Sequence, residues 1–173
     1  MDNSFFAYLQ QLELMAFFSG YPIIYAIVMA IAGKKQVANN FRRRTGLLLP
    51  YAYALAGLLF LGLQLQKLYP DYSVGHITST LQHPWLVLWG LFSLLFFIPA
   101  LAKEPVLSLL HSLVFFFFLI KDLALQYFAS AADANILKND MHIYTSSLIL
   151  NASTFALVLL MSFIYSVYKR RLR

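Results

Sequence analysis

The sequence contains no cysteine, which excludes disulfides and thiolate-ligated metal sites. Charge is scarce as well. Only 12% of the 173 residues are Asp, Glu, Lys or Arg, against roughly 25% in an ordinary soluble domain. There is no Gly-rich phosphate loop, no His-Glu-x-x-His and no Gly-x-Ser-x-Gly, so three common routes to nucleotide, zinc or serine chemistry are missing. The opening Met-Asp-Asn-Ser places no basic run before the first apolar stretch, unlike a cleaved signal peptide. That stretch is expected to remain in the mature protein.

What the chain has instead is apolar length: 61% of its residues are hydrophobic. A soluble core of this size could not absorb that much apolar surface, whereas a bilayer takes about 20 apolar residues per spanning helix. The pattern predicts an all-α membrane protein, a single embedded domain over residues 1–173 with five transmembrane helices. The expected spans are 14–33, 46–68, 84–102, 105–128 and 143–168. Pro22 is expected to kink the first. Residues 1–13 read as a short interfacial helix, 71–83 and 129–142 as polar loops, and Lys103-Glu104-Pro105 as a tight hairpin. Ala52-x-x-x-Ala56 and Ser162-x-x-x-Ser166 are small-residue pairs that permit close helix contact.

Orientation follows from the basic residues. Lys34, Lys35, Arg42, Arg43, Arg44, Lys103, Lys169, Arg170, Arg171 and Arg173 fall on one side, and the stretch 34–45 contains no acidic residue. Lys67, Lys121 and Lys138 fall on the other, with every acidic residue but Glu104. Positive charge in short loops stays cytoplasmic, so the N-terminus is expected outside and the C-terminus inside. The setting most comfortable with this pattern is a bacterial inner membrane. Lys34, Lys35, Arg42, Arg43, Arg44, Arg170 and Arg171 then form a basic cytoplasmic surface suited to anionic headgroups or an acidic partner. A nucleic-acid partner is not expected, because no folded cytoplasmic module presents that charge.

Ionisable and amide side chains inside spans are costly, which makes each a candidate site. On the fourth span Ser108, His111, Ser112, Phe115, Leu119, Asp122 and Gln126 recur at steps of three or four and share one face. Ser147, Asn151, Thr154, Ser162 and Tyr165 mark a second stripe on the fifth. The candidate ligand or ion pathway is Gln64, His111, Lys121, Asp122 and Asn151. Gln64, Lys121, Asp122 and Asn151 are expected at a similar outer depth, with Glu13 and Lys67 at the rim. The competing reading is interhelical hydrogen bonding for Asp122 and Asn151, and snorkelling to headgroups for Lys121. His111 and Asp122 are eleven residues apart, roughly 16 Å along the helix axis, and cannot act as a pair.

No catalytic set, metal site or cofactor is expected. Of the four histidines, none pairs with another at a helical step, and His76, His83 and His142 lie in or beside loops. The leading functional expectation is a non-enzymatic subunit or accessory protein of a membrane complex. Its partners would be the bilayer and other membrane chains, or further copies of itself. A small transporter or channel component lined by the fourth and fifth spans is the second reading. A membrane enzyme acting on a lipid or quinone is the third.

Overall fold

The computed structural model describes residues 3–33, 39–81, 83–128 and 134–171, and every element among them is helical. In chain order these are α1 (Asn3–Phe18), α2 (Tyr21–Gly33), α3 (Asn39–Leu68), α4 (Val74–Thr80), α5 (Pro84–Leu91), a 3₁₀ segment (Phe92–Phe97), α6 (Pro99–Ala102), α7 (Pro105–Phe128) and α8 (Ala134–Arg171). Three stretches are long and apolar enough to cross a membrane: Gln10–Ile31, Thr45–Leu68 and His142–Lys169. Pro84–Phe97 and Pro105–Lys121 are shorter apolar helical stretches.

Three of the five expected spans coincide with these long stretches, and the other two with the shorter ones; the helices depart from the expectation in three ways. The first is broken. Pro22 has no N–H to give back to the preceding turn, and the chain turns at Ser19-Gly20 between α1 and α2. The third is assembled from pieces. Ser93 Oγ donates to the Gly90 carbonyl at 2.6 Å, a local bond that competes with regular helix. Ile98 is extended (φ −73°, ψ 122°), as the residue before a proline prefers, and Pro99 then opens α6. Finally, the stretch expected as a polar loop after α7 is helical from Ala134, where α8 starts. The polar loop after α3 likewise contains α4. Ser73 caps that helix and accepts from the His76 N–H. Its own N–H and hydroxyl donate to Asp71 and hold that exposed carboxyl below its ordinary range.

α3 is the centre of the bundle and contacts every other element. Ala52, Tyr53, Ala54, Ala56 and Phe60 are buried along it; the Ala52/Ala56 pair faces neighbours within the chain. The core gathers on Phe18, which stacks on Phe115 at 4.8 Å and meets Phe60 and Tyr53 edge-on at 5.3 and 5.6 Å. Only Phe115 of the Phe115–Phe118 run is fully enclosed, while Phe117 is exposed. One end of the bundle is tied by the His83 N–H, which donates to Gln10 Oε1 at 2.7 Å, and by an ion pair between Lys67 and Glu13.

Close approach replaces bulk where α3 meets the 3₁₀ segment. A Cβ at Gly57 would lie 1.9 Å from Ser93 Oγ, whereas one at Gly62 would meet nothing within 4 Å. Gly57→Ala should therefore lower stability by about 1–3 kcal/mol, as overpacking does. Gly62→Ala should be neutral or mildly stabilising. Thermal unfolding in detergent micelles distinguishes the two; equal midpoints would contradict the packing described.

Candidate functional site

Two buried polar assemblies sit among the apolar helices. The first clips the break in the first span. The Gly20 N–H, freed from helical bonding, donates to Ser147 Oγ of α8 at 2.8 Å. The Ser19 hydroxyl is 2.6 Å from the Met15 carbonyl and 3.3 Å from Ser147 Oγ. Asn151 Nδ2 donates to the Phe17 carbonyl at 2.9 Å and to the Ser147 carbonyl at 2.8 Å. Phe17 is the carbonyl that an unbroken helix would have given to the Tyr21 N–H. The helices approach so closely here that a Cβ on Gly20 would stand 2.7 Å from the Ser147 backbone. Ser147 and Asn151 are one helical turn apart, and that spacing is what lets α8 serve both sides of the break.

The second assembly surrounds His111 on α7. Tyr53 of α3 is fully buried, and its hydroxyl lies 2.8 Å from His111 Nδ1. One turn earlier on α7, Ser108 Oγ donates to the Pro105 carbonyl at 2.7 Å, so its oxygen accepts the Tyr21 hydroxyl at 2.7 Å. The Tyr21 and Tyr53 rings are 4.4 Å apart. Trp89 of α5 lies flat on the imidazole, 4.7 Å away at 9°, and its indole N–H points to the His111 carbonyl at 3.4 Å. His111 Nε2 is buried with no partner.

The tautomer follows from cost. If Nδ1 carried the proton, Tyr53 would accept it and its own hydroxyl hydrogen would be stranded in the core. If Tyr53 donates to Nδ1, every donor of the pair is satisfied except Nε2–H. Each arrangement strands one donor, but the first also leaves the buried Nε2 lone pair without a partner, so the second is the cheaper. Beside this histidine runs a groove of about 510 Å³ with almost wholly apolar walls, lined by Trp89, Phe92, Phe96, Leu107, Leu110 and His111.

The candidate residues read from the sequence are thus distributed over different places. Asn151 belongs to the clip and His111 to the aromatic site. Gln64 is buried on α3 with its Nε2 unpartnered. Lys121 is exposed on α7. The side chain of Asp122 lies outside the described part, so the expected cluster of Gln64, Lys121, Asp122 and Asn151 is not assembled from described contacts. Of the rim pair, Glu13 and Lys67 do join. Lys34 and Lys35 lie outside the described residues, as do the side chains of Arg42, Arg43, Arg44 and Arg170; Arg171 is exposed at the end of α8. Among the described residues no three His, Asp or Glu side chains gather as a metal site. Tyr53, Tyr21 and Trp89 escaped the sequence reading because tyrosine and tryptophan are expected at membrane interfaces. A mid-span Tyr with a polar edge on a facing helix was the signal that could have found them.

The Tyr53–His111 bond should be measurable as a coupling. Tyr53→Phe and His111→Phe should each cost about 1–3 kcal/mol, since each orphans a buried group. The double variant should cost less than the sum by about 1 kcal/mol. Denaturant unfolding in micelles reads the cycle, and strict additivity would contradict the bond. Compared with protein families, with curated proteins and with solved structures, the chain matches none.

Proposed function

We propose that the chain crosses a bacterial inner membrane five times, with its N-terminus outside and its C-terminus in the cytoplasm, and serves as a non-enzymatic subunit or accessory protein of a membrane complex. The observation that carries this reading is the uneven burial of α8. Half of each best window in Gln10–Ile31 and Thr45–Leu68 is buried within the chain, against 17% in His142–Lys169. Among the described residues the buried positions of α8 are Ser147, Asn151 and Thr154, all in the first half of His142–Lys169. Beyond them Leu157, Leu160, Met161, Phe163, Ile164 and Tyr165 are exposed. The inner half of this helix leaves its flanks open to helices of another chain, or of a second copy.

The five-span reading draws on the apolar α5–α6 stretch and on α7, which has the length of a span at 24 residues. Exposed Lys103, Lys169 and Arg171 fit a cytoplasmic face. Transport is the second reading. It draws on the α7 stripe, although Ser108 and Ser112 spend their hydroxyls on carbonyls of their own helix. Catalysis on a lipid or quinone comes third, with His111 unaccompanied by a described acid–base partner other than Tyr53.

Affinity purification from native membranes in mild detergent, followed by native mass spectrometry, tests the first reading. The expected result is a stable assembly larger than one chain. It should be weakened when Leu157, Leu160 and Ile164 are together replaced by Ala. A monodisperse single chain carrying lipid alone would overturn it.

A further inference from the structure

We propose that the groove beside His111 binds the head of a lipid-soluble quinone, with the Nε2–H donating to a ring carbonyl. The proposal rests on the membrane reading above and goes beyond the subunit role. Its starting point is the orphan donor. Tyr53 holds Nδ1, Nε2 has no partner, and no bulk water is available in hydrocarbon to fill it. A group from the lipid phase has to supply the acceptor.

The chemistry of that group is narrowed by the walls. The groove is apolar apart from the histidine and is flanked by the aromatic faces of Trp89, Phe92 and Phe96. Its volume of about 510 Å³ falls in the range of small-molecule sites, roughly 300–1,000 Å³. It suits a flat ring bearing a carbonyl, with an apolar tail leaving past Leu107 and Leu110, both of which are exposed. Trp89 already models such a contact by stacking on the imidazole, and it is 37% exposed at the groove mouth. Nε2 is buried in the unliganded groove, so binding requires the walls beside His111 to shift and expose it.

Depth separates this ligand from a phospholipid ester. His111 lies six residues after Pro105, about 9 Å along the axis. The headgroup and ester layer is only about 5–8 Å thick on each side of the hydrocarbon. A carbonyl at the level of His111 therefore sits below the ester layer, where a quinone ring can reach.

The test uses the full chain in phosphatidylethanolamine–phosphatidylglycerol nanodiscs with an azido-substituted decylubiquinone. After illumination, the label is mapped by peptide mass spectrometry. Label concentrated within residues 89–96 and 107–114 is expected. It should fall about tenfold in His111→Phe, the loss of one buried hydrogen bond. It should also fall in Leu110→Trp, which fills the groove without touching the Tyr53–His111 pair, and should be unchanged in the α8 control Phe163→Trp. Excess decylubiquinone should displace the probe, and undecylbenzene, with ring and tail but no carbonyl, should not. Label spread evenly over the lipid-facing helices would overturn the proposal, as would equal displacement by undecylbenzene. A chain that stays in solution and never enters the nanodisc would instead overturn the membrane reading on which this one rests.

Discussion

A broken helix in an apolar interior must find partners for the backbone groups it frees. That constraint organises this molecule. At Ser19-Gly20 the first span turns, and Pro22, in the first turn of α2, has no N–H to give back to the Phe18 carbonyl. Each unsatisfied backbone group in hydrocarbon costs several kcal/mol. α8 meets that demand through Ser147 and Asn151. Because both bonds reach backbone, they fix the register of α8 against α1 and α2 as well as the distance. Gly20 is required for the same reason: the two backbones approach too closely for a side chain.

The rest of the polar inventory obeys the same rule at smaller scale. Ser93, Ser108, Ser112 and Thr154 turn their hydroxyls onto carbonyls three residues back. These bonds satisfy the side chains locally and allow serine-rich faces to pack as if they were apolar. Tyr21 uses Ser108 and Tyr53 uses His111, so two phenols are accommodated at the heart of an aromatic core. What stands out after this accounting, among the described residues, is three buried atoms without a partner, Gln64 Nε2, Asn151 Oδ1 and His111 Nε2, the last of them in a residue that lines a groove.

Much of the architecture was legible in the sequence, because apolar length is a strong signal and proline a sharp one. Pro84, Pro99 and Pro105 open helices where their missing N–H does no harm, and Pro22 marks the break. The 3₁₀ segment was not legible. It depends on Ser93 choosing the Gly90 carbonyl and on how closely Gly57 lets α3 approach, neither of which leaves a periodic trace. Extension of α8 back to Ala134 was missed because polar residues at a helix start resemble a loop. The stripe on the fourth span correctly pointed His111 and Ser108 inward. It could not say which residues they would meet, since Tyr21 and Tyr53 come from distant parts of the chain. Asn151 was placed among possible pathway residues by its depth, while the alternative of interhelical bonding matches its contacts with Phe17 and Ser147.

In the proposed membrane arrangement lipid, rather than a folded aqueous core, covers these helices, and α8 carries the chain from one face of the membrane to the other. The absence of cysteine makes a direct measurement possible. Val74→Cys and Lys169→Cys, introduced singly, can be labelled in sealed right-side-out vesicles with a membrane-impermeant maleimide. The expected result is labelling at position 74 in intact vesicles and at position 169 only after permeabilisation. Labelling of both positions from the same side would contradict the account.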